Sequence, residues 1–308
     1  MENVRKVLTE LMSKRKLDTK FQNLMSSVYE DADVLAFCEA HKAELSSDSV
    51  ARSASKLYEY VQERDKFNRH EPTLMPGYQP VLIVNNHMIE VSYKPSKQLL
   101  ADEKQREFNS RVKSVNMPKM IRRAHFEDFY PDENRQSALN AALDFVQAYE
   151  TDPHHFHKAL YLSGSFGVGK TYLLGAIANE LASQEFVSTL VHFPSFAVEM
   201  KNAIGENNLA EKLNIIKEAP ILMLDDVGAD AMSSWVRDEV LGVILEYRMQ
   251  NELPTFFSSN FSMDRLEKEH LKINQRGESE PLKAKRLMER IKFLATEVTM
   301  VGVNRRQS

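Results

Sequence analysis

The chain has 308 residues, with 40 Lys and Arg against 44 Asp and Glu and a formal net charge of −4. Hydrophobic residues make up 43% and charged residues 27%, enough apolar surface to offset the entropy of ordering the chain, so pervasive disorder is excluded. The near-neutral balance excludes a uniformly basic nucleic-acid coat protein but leaves room for a local basic patch.

A single cysteine, Cys38, cannot close an internal disulfide or build a multi-cysteine zinc site, and its neighbours Val34, Leu35 and Phe37 read as helix core. The first residues are charged at Glu2, Arg5, Lys6 and Glu10, unlike a secretory signal. No apolar run approaches the ~18 residues of a membrane span. A soluble, cytoplasmic protein of one large or two smaller domains is expected, with no membrane partner.

Residues 1 to about 70 carry helical spacing: Val4, Val7, Leu8, Leu11 and Met12, then Phe21, Leu24, Met25 and Val28. Asp31 and Ser47 suit the N-caps of the next two helices, the second carrying Val50, Leu57, Tyr58 and Val61. Glycine is absent from the first 76 residues, which fits a short helical bundle. Val81–Val84 and His87–Tyr93 then read as a β-hairpin turning at Asn85-Asn86. A charged helix follows over 97–113. Residues 111–125 hold Arg111, Lys113, Lys119, Arg122 and Arg123 without an acid, and read as an interdomain linker with a basic edge. The boundary is expected at 115/116.

From about residue 126, strands alternate with helices. Strands are expected at 159–162, 188–193, 221–224, 255–258 and 297–301. Helices are expected at 134–150, 170–183, 195–204, 208–218, 235–250 and 283–293. Near-continuous apolar strands separated by helices imply an α/β fold with a parallel sheet covered on both faces.

Gly164-Ser165-Phe166-Gly167-Val168-Gly169-Lys170-Thr171 matches G-x-x-x-x-G-K-[ST] at every fixed position, between a strand and a helix. Glycines let the backbone wrap a phosphate with its N–H groups pointing inward, and the helix start adds a positive dipole end. Lys170 is a point charge for the β- and γ-phosphates, and Thr171 a hydroxyl for Mg²⁺. The nucleotide-binding stretch is taken as Gly164, Ser165, Phe166, Gly167, Val168, Gly169, Lys170, Thr171 and Tyr172. Downstream, Ile221-Leu222-Met223-Leu224 ends in two carboxylates: Asp225 suits the metal, and Asp226 suits an attacking water. Asn260, after the next strand, is an amide for the γ-phosphate or its water; a turn-forming role competes with it. In helix 283–293, Arg290 is the candidate for a guanidinium supplied to a neighbouring protomer.

Taken together, Gly164–Thr171, Leu224-Asp225-Asp226-Val227-Gly228, Ser258-Ser259-Asn260 and Arg286-Leu287-Met288-Glu289-Arg290-Ile291 resemble the AAA+ P-loop ATPases. More narrowly, they resemble bacterial replicative-helicase loaders of the DnaI/DnaC type. The resemblance implies that Lys170 and Thr171 form the Walker A pair, Asp225 and Asp226 Walker B, Asn260 sensor 1 and Arg290 an arginine finger. Arg305 or Arg306 would be a second sensor. It implies ATP and Mg²⁺ as ligands, a DnaB-type hexameric helicase and single-stranded DNA as partners, and self-association on ATP or with the helicase. Residues 1–115 would grip the helicase, and 116–308 would form the ATPase. Lys201 and Lys212 are candidates for DNA phosphates. Two departures stand out. Relatives often carry an N-terminal Cys/His zinc cluster, and with Cys38 alone no zinc is expected here. Only Gly302–Ser308 follow the last strand, too few for a helical lid. An AAA+ protein of transposition or replication initiation, acting on duplex DNA, shares the core motifs and is the alternative.

Overall fold

The computed structural model describes residues 25–46, 48–129, 135–205, 208–229, 232–272 and 279–305, apart from the side chains of Lys119 and Met120. The readings at Val4–Leu24, Ser47 and Arg306 lie outside them. The chain divides into two compact units, Met1–Lys104 and Gln105–Ser308.

The first unit is helical with one hairpin. Helix Ala32–Ala40 starts where expected, because the Asp31 carboxylate accepts the Asp33 and Val34 N–H groups. The following helix comes in two pieces, Ser49–Arg52 and Ala54–Asn68. It breaks at Ser53, whose hydroxyl takes the Ile89 N–H at 2.9 Å. Strands β1 (Tyr78–Asn85) and β2 (Met88–Pro95) pair with Asn85 opposite Met88. The turn is therefore Asn86-His87, both at positive φ, and not Asn85-Asn86. Tertiary bonds account for the slip: His87 Nδ1 bonds the Glu44 carbonyl at 2.7 Å, and the Ser49 hydroxyl donates to the His87 carbonyl. Val28, Val34, Leu57, Val61 and Ile89 pack together as the core. Glu63 is 3% exposed. Its carboxylate accepts from the Lys66 ammonium at 2.8 Å and the Leu74 N–H at 2.7 Å, closing the intervening loop with a polar staple.

Helix Lys97–Arg111 carries the division between the units. The expected linker over 111–125 is instead part of the second unit's fold. Val112–Val115 is strand β3, paired in parallel with β5 (Ser188–His192), and Lys119–Arg123 is a 3₁₀ turn. Asn179 fastens that turn by donating to the Ile121 and Ala124 carbonyls at 3.1 and 2.7 Å.

The second unit holds a six-stranded parallel sheet in the order β3-β5-β6-β7-β4-β8. Here β4 is Ala159–Ser163, β6 Ile221–Asp225, β7 Thr255–Ser259 and β8 Ala295–Thr299. The last strand begins two residues before its expected start, because Ala295 pairs with Ala159. Helices Gln136–Thr151 and Lys170–Ser183 cover one face around Leu139, Phe145, Leu174 and Ile177. Helices Phe193–Ala203, Gly242–Gln250 and Pro281–Leu294 cover the other around Phe196, Ile244, Leu287 and Ile291. Neighbouring residues of β4 point to opposite layers, Leu160 and Leu162 to the first and Tyr161 to the second. A π-helical turn, Val236–Leu241, leads into helix Gly242–Gln250. No helix among the described residues is long and apolar enough to cross a membrane.

The order matters for the site. All strands run the same way, so their C-terminal ends share one edge of the sheet. Because β7 lies between β4 and β6, the residue after β7 emerges between the glycine loop and the paired carboxylates.

Candidate nucleotide-binding site

The glycine loop joins β4 to helix Lys170–Ser183. Gly164, Gly167 and Gly169 sit at φ values of 149°, 78° and 100°, which side chains rarely tolerate. A Cβ at Gly164 would lie 2.0 Å from the Met300 carbonyl oxygen. The segment after β8 thus presses on the loop: Met300 N–H donates to the Ser163 carbonyl and Arg305 N–H to the Gly167 carbonyl. Val168 is anchored beneath, 1% exposed in the core, whereas Phe166 is 65% exposed.

Lys170, though 7% exposed, is well solvated by the protein. Its ammonium donates to the carbonyls of Gly164 (2.7 Å) and Ser165 (2.9 Å) and to Asn260 Oδ1 (2.8 Å). Asn260 Nδ2 in turn donates to Asp226 Oδ1 at 3.0 Å. The Asp226 N–H donates to the Ser258 hydroxyl, which donates to Asp225 Oδ1. The Thr171 hydroxyl closes the circuit, 2.8 and 3.1 Å from the two Asp225 oxygens. Lys170, Thr171, Asp225, Asp226 and Asn260 therefore form one ring, hydrogen-bonded throughout except at the Lys170–Thr171 peptide link, with Ser258 as the link that sequence reasoning missed. Burial holds the Asp225 carboxyl above its ordinary range, against the lowering pull of Ser258 and Thr171. Asp226 sits at φ +62°, turning the chain sharply at the end of β6.

A cavity of about 380 Å³ opens over this ring. Phe166, Gly167, Gly169 and Tyr172 of the predicted stretch also line it. So do Ile121 and Phe129, which supply apolar wall, and His192. Arg135 lies 3.8 Å over the Phe129 ring. Strand register explains His192: it pairs with Asp225, and its Nε2 is 4.0 Å from Asp226 Oδ2. Its Nδ1 bonds Ser195 Oγ at 2.8 Å. Nothing in the local pattern around Ile121, Phe129 or His192 signals a site; the sheet order gathers them. Arg290 lies elsewhere, in a separate groove with Lys285, Arg286 and Phe293. Lys212 is paired with Glu199 at 2.6 Å.

The donors at Thr171 and Asp225 are hard oxygens converging on one point, which suits Mg²⁺, an ion that keeps most of its ligands as water and phosphate. Among the described residues no cluster of three or more His, Cys, Asp or Glu side chains is placed to hold a metal.

The glycine loop, the central β7 and the carboxylate-ended β6 define the core of an AAA+ nucleotide-binding protein. Residues 120–279 match the family model of the bacterial DnaA ATPase domain, and residues 1–93 that of the primosomal protein DnaI N-terminus. The chain is 40% identical over 314 residues to the replicative helicase loader DnaI of Bacillus subtilis (strain 168), covering 99% of both chains. A crystal structure of DnaI superposes with a TM-score of 0.57 at 46% identity, covering 65% of this chain and all of that one. A putative primosome component from Streptococcus pyogenes serotype M3 does so with a TM-score of 0.55 at 43% identity, covering 66% and 100%. The chain belongs to the DnaI family of replicative helicase loaders.

Proposed function

We propose that the chain uses ATP to bind a replicative, DnaB-type hexameric helicase and deliver it onto single-stranded DNA during primosome assembly, in the cytoplasm. The ring from Lys170 through Asn260, Asp226, Ser258 and Asp225 to Thr171 carries this reading, because it links the groups this protomer brings to the phosphates, the metal and the attacking water. The likeness to a helicase loader over the whole chain supports the partner, and the first unit, Met1–Lys104, is the part proposed to grip it.

The roles follow from position. The Lys170 ammonium exchanges loop carbonyls for β- and γ-phosphate oxygens, while the loop N–H groups hold the phosphate chain. Thr171 and Asp225 are the protein ligands for Mg²⁺, which when bound offsets charge on the phosphate oxygens. Asp226 orients and accepts a proton from the attacking water, and Asn260 fixes its carboxylate. Ile121 and Phe129 give the base an apolar wall. Arg290 does not line this cavity and serves the nucleotide of a neighbouring protomer, so hydrolysis depends on self-association.

The test is to load a hexameric replicative helicase onto circular single-stranded DNA with the full-length chain. Wild type should deposit helicase with ATP, and Lys170→Ala should bind helicase without depositing it. No complex with the helicase under any nucleotide condition would overturn the reading. Nanomolar binding to specific duplex DNA at physiological salt would favour the initiator alternative.

A further inference from the structure

We infer that Glu246 is a positioning residue for Arg290, holding the guanidinium in the orientation it presents to a neighbouring nucleotide; this rests on the reading of Arg290 given above. Arg290 Nη2 donates to Glu246 Oε2 and Arg290 Nη1 to the Gly242 carbonyl, each at 3.0 Å. Gly242 and Glu246 are one helical turn apart, so carbonyl and carboxylate lie on one strip of helix Gly242–Gln250 and match the fork of a guanidinium. The π-helical turn Val236–Leu241 ends immediately before that strip.

Of the two arginines in the groove, Arg290 is singled out by this bonding. Lys285 and Arg286 line the same groove, yet make no ion pair among the described residues. Arg290 is 23% exposed, and helix Pro281–Leu294 is fixed by buried Leu287, Met288 and Ile291 around it. An arginine side chain left alone samples many rotamers, and a transition-state contact requires it aimed in advance. A carboxylate on one nitrogen and a carbonyl on the other supply that aim while the remaining N–H groups stay available.

The experiment measures ATP hydrolysis per protomer against concentration of the full-length chain with ATP and Mg²⁺. For Glu246→Ala we expect kcat to fall about fivefold, with KM for ATP unchanged and the unfolding midpoint kept, since Glu246 is half exposed. Glu246→Gln keeps an acceptor at the same reach and should restore most of the rate. Glu246→Asp keeps the charge but withdraws the acceptor, and should resemble Ala. An unchanged or faster Glu246→Ala, or rescue by Asp and not Gln, overturns the assignment. If Arg290→Ala hydrolyses like wild type, or the rate per protomer is flat with concentration, the reading of Arg290 itself fails.

Discussion

The Ser258 hydroxyl donates to Asp225 Oδ1 at 2.5 Å, from a side chain that is 1% exposed. The Ser258 oxygen also accepts the Asp226 N–H, so one hydroxyl ties the Asp225 carboxylate to the main chain of Asp226. Removing it leaves the Asp226 N–H without that partner and lets burial push the Asp225 carboxyl further up. Ser258→Ala is expected to lower kcat/KM about tenfold, the loss of one hydrogen bond to a charged group. Titrating Mg²⁺ at fixed ATP checks it: the activation curve should shift to higher Mg²⁺.

Asn260 is bonded on both sides, to Lys170 and to Asp226. Its amide can accept from a cation and donate to a carboxylate at once, which neither Ala nor Asp does. Asn260→Ala should keep nucleotide binding, because Lys170 retains its other partners, and lower single-turnover hydrolysis by about 10²-fold. Asn260→Asp should be as slow, with a carboxylate facing Asp226. Measuring nucleotide affinity and single-turnover rate on the same samples separates the two effects.

The parts of this fold visible in the sequence are those whose signal is local. Strands β4 and β6 carry unbroken apolar runs and β7 a Phe-Phe pair between hydroxyl residues, all buried along their length, and the glycine loop is a spacing rule. Strand β3 was hidden because Val112-Lys113-Ser114-Val115 is four residues at a sheet edge, inside a basic stretch. The hairpin turn slipped by one residue because Asn85-Asn86 is a sound local signal, overridden by bonds from Glu44 and Ser49 to His87. The site divides the same way. Lys170, Asp225 and Asn260 follow strand ends and were legible; Ser258, His192 and Phe129 depend on which strands and loops become neighbours.

Gly164 and Gly167 should respond differently to the same substitution. A Cβ at Gly164 meets main-chain Met300, which is held by its own bond to Ser163. At Gly167 it meets the Asn304 amide at 1.9 Å, a side-chain group that a rotamer change moves, with the Asn304 Cα behind it at 3.1 Å. Gly164→Ala is therefore expected to destabilise the fold by about 3 kcal/mol, and Gly167→Ala by about 1 kcal/mol, the strain of its positive φ. Gly167→Ala should instead show its effect in weakened nucleotide affinity. Thermal unfolding and calorimetric ATP titration of both variants would expose any reversal of that order.

In the first unit, Arg64 binds the Asp31 carboxylate with two nitrogens, at 2.6 and 2.7 Å, and also reaches Asp33 and Asp65. The Arg64 bond holds the Asp31 carboxyl below its ordinary 3.8. A carboxylate depressed in the folded state stabilises the protein above the unfolded value and loses that contribution as pH falls through the folded one. Asp31→Asn keeps the cap of helix Ala32–Ala40 but removes the charge. Near neutral pH it should lower stability by about 1 kcal/mol. Wild type and variant should converge as the pH drops well below 3.8. Denaturant midpoints of the two full-length proteins across that range provide the comparison, and a gap that persists in acid would show that Asn fails as a cap.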